Sequence, residues 1–350
     1  MPATDSTSLV VELDSIETAR ERIAGRIART PVLESSTAAR WTDAAVRERF
    51  GKEIRLAGGR LCLKADHLQT TGSFKVRGMT NRILTLDPDA RARGAITLSA
   101  GNAGQAYAWA GAAAGVPVTV VMPEAAVRSK VDACLGYGAR VVLHGAHVGD
   151  TFAEMERLRD VEGLTFVHPF DDPEVIAGHG TLGLELVDDV PDVDVVVVAV
   201  GGGGLISGVA AAVKARRPGC RVYGVEPVQS NAVSLAIERN EIVQIDPKSV
   251  ADGLRAPFAG AWTLAICRRL LDGIVHLDDP TILAGMRFAL ERLKQVLEPA
   301  GAAALAAVLA GRIPIADGER VAVVLSGGNV EVDRIGELVA GAATLPGALA

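Results

Sequence analysis

Three observations in the sequence predict an α/β fold, with mostly parallel sheets flanked by helices. From Ala95 onward, short runs rich in β-branched residues alternate with alanine-rich stretches, the pattern of strands joined by crossover helices. Residues 195–200 are all apolar, as a strand covered on both faces must be. Three of the strand-like runs end in turns of Gly, Ser and Asn that lead into the next helical stretch, where parallel sheets place their ligands.

Taken in order, Ile16, Ala19, Ile23 and Ile27 recur at helical spacing, so residues 14–29 are expected to form an amphipathic helix ending before Pro31. Residues 41–59 read as a helical piece and a turn, and 61–65 as a strand. Ser73 is placed to cap a helix that follows. Strands are then expected at 95–98, 118–122 and 140–143, alternating with helices at 103–114, 127–137 and 149–161. The alternation resumes with helix 173–188, strand 193–200 and helix 205–216. Strands at 222–225, 273–276 and 321–325, and helices at 280–297, 301–311 and 331–340, complete the pattern. No repeat of roughly 20–50 residues interrupts it. The sheet is expected to be split, with a small domain at 92–170 inserted into a larger one built from 1–91 and 171–350, and a ligand between them.

Composition narrows the function. The 350 residues are 49% apolar, enough for substantial cores. A net charge of -6 with no long Lys/Arg run argues against a nucleic-acid surface. No apolar run reaches the roughly 18 residues of a membrane span. Met1 to Val10 lacks the pattern of a secretion signal, so a cytoplasmic protein is expected. Cys62, Cys134, Cys220 and Cys267 are scattered, three of them within apolar runs, and read as small buried hydrophobes.

Chemistry concentrates at four places. Thr71-Gly72-Ser73-Phe74-Lys75 follows the first of these strands; its lysine is either a solvated structural residue or a nucleophilic amine. Gly201-Gly202-Gly203-Gly204 follows the central strand and opens a helix, offering unobstructed N–H groups to a phosphate. A dinucleotide-binding turn looks similar, although the spacing departs from Gly-x-Gly-x-x-Gly. Ser99-Ala100-Gly101-Asn102 offers N–H donors for a carboxylate and an amide side chain. Ser326-Gly327-Gly328-Asn329 is a third strand-to-helix turn.

These motifs, in this order, resemble the fold type II pyridoxal-phosphate enzymes, whose fold is that of the tryptophan synthase β-subunit. Within that group the chain is similar to the threonine/serine dehydratases and serine racemases. His168-Pro169-Phe170-Asp171-Asp172, Val225-Glu226-Pro227, Ala251-Asp252-Gly253 and Glu298-Pro299-Ala300-Gly301 extend the likeness over roughly residues 25–340. The resemblance implies that Lys75 forms a Schiff base with pyridoxal 5'-phosphate and later acts as base at Cα. It implies that Phe74 flanks the ring, Asn102 meets the ring hydroxyl, and Gly201 to Gly204 cradle the phosphate. Gly253 is counted with the cofactor site and Ser326 with the pyridine nitrogen. Ser99, Gly101, Asn102 and Ala103 line the substrate carboxylate loop. A neutral hydroxyl at the pyridine nitrogen makes a weak electron sink, which suits loss of a β-hydroxyl as Cα is deprotonated. The expected reaction converts threonine, serine or a related β-hydroxy amino acid, such as 3-hydroxyaspartate, to a 2-oxo acid and ammonia, in a homodimer.

Departures refine this. Ala100 stands where the racemases carry a serine as second base, so dehydration is expected over racemisation. Ala103 stands where a histidine is common in the family, which leaves a larger or less polar pocket and bears on which substrate is taken. Glu226 matches one ligand of the racemases' divalent site, but Ala232 stands at its partner's position, so no tight metal site is expected. His179 is a candidate to approach the site, and Arg77, Arg128 and Arg255 are candidates to meet a second substrate carboxylate. With a short tail beyond Val339, feedback control through an appended regulatory domain is not expected. A nucleotide-dependent oxidoreductase and a noncatalytic amino-acid-binding protein are the readings from other classes.

Overall fold

The computed structural model describes residues 9–346; most of the Met1–Val10 segment read for a secretion signal, and the last four residues of the tail, lie outside them. Ten strands form two sheets. The larger contains β1 (Val32–Ser35), β2 (Leu61–Lys64), β7 (Val195–Ala199), β8 (Arg221–Pro227), β9 (Gly273–Leu277) and β10 (Val321–Val324), in the order β1-β2-β10-β7-β8-β9. Only β1 runs antiparallel to its neighbour. The smaller contains β3 (Ala95–Leu98), β4 (Val118–Met122), β5 (Arg140–Leu143) and β6 (Thr165–Phe166), all parallel, in the order β5-β4-β3-β6.

The helices are α1 (Leu13–Ile23), α2 (Ser36–Phe50), α3 (Lys75–Leu84), α4 (Pro88–Arg93), α5 (Asn102–Ala114), α6 (Arg128–Gly136) and α7 (Val148–Glu162). They continue with α8 (Pro173–Asp189), α9 (Gly204–Arg216), α10 (Ala232–Arg239), α11 (Ala261–Leu270), α12 (Asp279–Phe288), α13 (Pro299–Leu309) and α14 (Val332–Ala340).

The apolar run in β7 is explained by its two faces. Val195 and Val197 pack with α12 and α13, whereas Val196 and Val198 pack with α8 and α9, the period-2 alternation of a strand buried on both sides. Every residue of α13 is buried, and its alanines let it lie close on the sheet. In the smaller sheet, Val118, Val120 and Met122 face α5, and Val121 faces Met155 and Leu158 of α7. Helix α3 is shared: Val76, Met79 and Ile83 join the core of the smaller sheet, while its glycine face crosses α8. A Cβ on Gly78 would lie 2.6 Å from the Val175 carbonyl oxygen, and one on Gly178 would lie 2.7 Å from the Gly78 Cα, so the two backbones touch.

Several boundaries differ from the sequence reading. The first helix stops at Ile23, because Gly25 takes φ 71° and turns the chain. Residues 41–50 belong to a longer helix starting at Ser36, whose Ser35 cap accepts from the Ala38 N–H at 3.0 Å. Strand β1 escapes a periodicity search because it is four residues long and only partly buried. The helix expected at 280–297 ends at Phe288, passes through a π turn at Ala289–Leu293, and stops where Lys294 takes φ 59°. Ser73 does not cap α3; its hydroxyl is buried without a partner, and its backbone instead pairs with Gly327.

A buried ion cluster fixes α3. Arg77 donates through Nε and Nη2 to Asp66 at 2.7 and 2.8 Å, and through Nη1 to Glu185 Oε1 at 2.7 Å. Lys64 Nζ donates to Glu185 Oε2 at 2.7 Å and to the Thr30 carbonyl at 2.6 Å. Although burial opposes the charge on both groups, the Arg77 guanidinium holds the Asp66 carboxyl below its ordinary range, and Asp66 holds Arg77 above its own. Removing one partner strands buried charge. Arg77→Met should therefore lower stability by about 3–5 kcal/mol, read as an earlier urea midpoint with an unchanged slope.

Candidate active site

Strands β2, β10 and β7 are neighbours in the larger sheet, and the chain leaves each of them at the same edge. After β2 it reaches Lys75, after β10 Ser326, and after β7 the four glycines. The turn after β3 brings Asn102 to the same place from the smaller sheet. Contacts bind these segments together: the Phe74 N–H donates to the Ser326 carbonyl at 3.0 Å, and Asn102 Oδ1 accepts from Asn329 Nδ2 at 2.9 Å. The turns identified in the sequence thus converge beside Lys75.

Lys75 opens α3, where the dipole is positive and the amine is partly enclosed. Its Nζ donates to the Pro169 carbonyl at 2.8 Å and lies 5.1 Å from the centre of the Phe74 ring. Burial pushes the amine down to about 8, with Glu298 pulling the other way. About a tenth of the amine is therefore neutral at pH 7, far more than for an ordinary lysine, as a nucleophilic amine requires.

At the glycine turn, Gly203 takes φ 88°, a conformation that favours glycine. Packing dictates the others. A Cβ on Gly202 would come 2.5 Å from the Phe170 ring, and one on Gly204 would come 2.6 Å from the Phe170 carbonyl oxygen. The N–H groups of Gly201, Gly202 and Gly203 donate to no backbone carbonyl among the described residues. They stand free at the positive end of α9, as an anion site needs. Gly253 lies against this turn, its carbonyl oxygen 3.1 Å from where a Gly201 Cβ would sit.

In the Asn102 loop, Ser99 Oγ accepts from the Gly101 N–H at 3.2 Å, Ala103 is buried in the first turn of α5, and Ala100 is partly buried against the core of the smaller sheet. Ser326 is buried.

Other candidates find different employment. His179 is buried in α8 behind Phe74, ring centres 4.8 Å apart, and its Nδ1 accepts from the Gly78 N–H at 3.2 Å. Arg77 is consumed by the ion cluster, Arg128 pairs with Asp132, and Arg255 is exposed. Glu226 accepts from the N–H groups of Val233 and Ser234 at 2.8 and 3.1 Å, holding the start of α10. All four cysteines are buried and unpaired.

Three residues without a role in the sequence reading line the cleft. Glu298, at the start of α13, is buried, accepts from Asn102 Nδ2 at 2.6 Å, and has an unpartnered Oε2. Burial and the Asp252 carboxylate push it up to about 7. The sequence signal was the Glu298-Pro299-Ala300-Gly301 match, which the sequence reading quoted without giving Glu298 a role. Pro169 supplies the carbonyl that holds Lys75, and Phe170 packs beneath the glycines; both follow His168. His168 Nδ1 accepts from the N–H groups of Phe170 and Asp171 at 3.2 and 2.7 Å, while its carbonyl accepts from the Tyr107 hydroxyl at 2.8 Å.

Residues 26–327 match the family described as pyridoxal-phosphate dependent enzyme, and the chain belongs to that family. It is similar to the L-threonine ammonia-lyase of Thermotoga maritima, at 40% identity over 81% of this chain and 71% of that protein. The catabolic L-threonine dehydratase of Escherichia coli is 37% identical over 94% of this chain and 96% of its own. Among solved structures, maize serine racemase superposes with a TM-score of 0.85 at 34% identity, covering 94% of this chain and 96% of that one. The residues present fit the family's cofactor: a lysine amine depressed to about 8 stands in the same cleft as a turn of free glycine N–H groups.

His168 yields a test of the cleft's wall. Burial and the nearby Lys75 push its imidazole down to about 4 from 6.5, so the folded state binds fewer protons than the unfolded state in that window. Its contribution is complete above about pH 6.5 and is lost as pH falls toward 4. His168→Asn, which keeps an acceptor for the two N–H groups, should flatten that part of the stability profile, measured by urea unfolding across the window.

Proposed function

We propose that this enzyme is an ammonia-lyase that dehydrates threonine, serine or a related β-hydroxy amino acid to a 2-oxo acid and ammonia. The observation that carries the reading is Lys75, an amine of lowered pKa where three strand-to-helix turns meet. The relatives that act on threonine support the substrate class. Pyridoxal phosphate supplies an aldehyde for the amine and a ring that takes up electron density. Lys75 would carry the cofactor, release it to the substrate amine, and then take the Cα proton. The N–H groups of Gly201 to Gly204 would hold the phosphate, with Gly253 beside them. Asn102 would donate to the ring hydroxyl, Ser326 would meet the pyridine nitrogen, and Phe74 would flank the ring.

The turn formed by Ser99, Gly101, Asn102 and Ala103 would take the substrate carboxylate through backbone N–H groups, as a helix N-terminus favours. Water lost across Cα–Cβ is regained when the C–N bond hydrolyses, so the overall change is release of ammonia. Within this reading the chain works as a small domain, residues 92–170, set into a larger one, 1–91 and 171–350, that carries the cofactor. We further propose a cytoplasmic homodimer, on the resemblance alone. No helix among the described residues is long and apolar enough to cross a membrane.

Serine racemisation is the second reading, favoured by the likeness to the maize enzyme. It needs a second base opposite Lys75, and Ala100 carries no proton. Borohydride reduction followed by peptide mass spectrometry should fix the cofactor on Lys75; a colourless protein with no adduct after supply of pyridoxal phosphate rejects the proposal. Lys75→Ala should lower 2-oxo acid release by at least about a thousandfold, since it removes both carrier and base. Ala100→Ser should raise D-serine formation relative to elimination, measured by chiral chromatography; an unchanged ratio would remove the argument from Ala100.

A further inference from the structure

Asn102 is held from two sides by residues far along the chain. Its Oδ1 accepts from Asn329 Nδ2 at 2.9 Å, and its Nδ2 donates to Glu298 Oε1 at 2.6 Å. Asn329 is itself fixed, since its Nδ2 also donates to the Thr71 carbonyl at 2.8 Å. These bonds determine which end of the Asn102 amide is oxygen and which is nitrogen. They also join the first turn of α5, which follows β3 of the smaller sheet, to segments that follow β10 and precede α13. A primary amide has two N–H donors. With one committed to Glu298, a single donor is left to face the cleft.

We propose that Glu298 is a positioning residue, which orients the Asn102 amide so that its remaining N–H points at the oxygen substituent of the cofactor ring. This rests on the reading that pyridoxal phosphate occupies the cleft. Without the Glu298 acceptor, only the bond from Asn329 Nδ2 still orients the Asn102 amide, and its donor edge loses the partner that fixes where the remaining N–H points. The carboxyl itself is wedged in place: a Cβ on Gly327 would come 2.1 Å from Glu298 Oε1, and the Glu298 N–H donates to the Gly327 carbonyl at 3.1 Å. Glu298 Oε2 is buried and has no partner in the protein, as suits a carboxyl that takes a proton within the working range. The charged groups that bear on it are Asp252, Lys130 and Lys75. Lys130 and Asp252 pair with each other, which leaves Lys75 as the unpaired cation; it loses its own charge when it carries the cofactor.

The test compares the full-length protein with Asn102→Ala, Glu298→Ala, the double variant and Glu298→Gln. Each is stripped of cofactor and titrated with pyridoxal phosphate, following absorbance. Borohydride trapping on Lys75 in each variant checks separately that the cofactor binds where the reading requires. Losing one charge-assisted hydrogen bond should weaken binding by about tenfold in either single alanine variant. The double variant should be no weaker than the weaker single, because Glu298 acts through Asn102. E298Q keeps an acceptor oxygen and should bind within about threefold of wild type. It should also lose any change in the bound-cofactor spectrum that wild type shows near pH 7, the range to which Glu298 is pushed. Additive losses in the double variant, or an E298A protein with wild-type affinity and spectrum, would overturn the assignment. E298Q is nearly isosteric, so it decides the matter even if E298A does not fold: retention of a wild-type spectral transition near neutral pH also overturns it.

Discussion

The arrangement depends first on how α3 is held. Lys75 opens this helix, and two residues later Arg77 enters a buried cluster with Asp66, Glu185 and Lys64. Such clusters add little net stability relative to apolar packing, but breaking one is expensive. Their consequence is positional. A bidentate guanidinium tolerates little rotation or translation, so α3 has one setting against β2 and α8. The glycine-on-glycine crossing of Gly78 and Gly178 removes the remaining slack. The lysine amine therefore projects from a helix pinned on two sides, beside the turns that follow β7 and β10.

Parallel strand order explains why the loops meet there. The chain leaves β2, β10 and β7 at one edge, and each turn opens toward the same space. The glycines after β7 serve two ends at once. Phe170 packs so closely beneath them that side chains are excluded, and their bare backbone offers N–H groups to the cleft. Phe170 belongs to the segment returning from the smaller sheet, and the neighbouring Pro169 carbonyl holds the Lys75 amine. The same short segment thus shapes the phosphate turn and gives the lysine a polar partner.

Desolvation then moves two groups toward neutrality, the partly buried Lys75 and the buried Glu298. Burial favours the neutral form of both Lys75 and Glu298, moving one down to about 8 and the other up to about 7. Both values lie near neutral pH, so the charge on each group is set by its neighbours. The helical spacing of neither residue hints at this, since it depends on water excluded by segments that are distant in the chain.

Local features were legible from the sequence: the strand and helix alternation, the uniformly apolar central strand, the glycine turns and the lysine in its Thr-Gly-Ser-Phe-Lys setting. Each is a pattern within a few residues, and it follows from burial on two faces or from the backbone needs of a turn. The short edge strand β1 and the early end of α1 were not legible, because pairing and a single positive φ decided them. Ser73 looked like a cap and is instead a buried, unbonded hydroxyl. Glu298 was visible only as part of the Glu298-Pro299-Ala300-Gly301 match, with no role attached to it. Only the tertiary structure brings it within hydrogen-bonding distance of Asn102, 196 residues away, and removes the water that would have kept it ionised. The sequence determined which chemical groups this protein owns and on which local scaffolds they ride; folding decided which of them share a dry space, because desolvation and amide orientation are properties of neighbours in space.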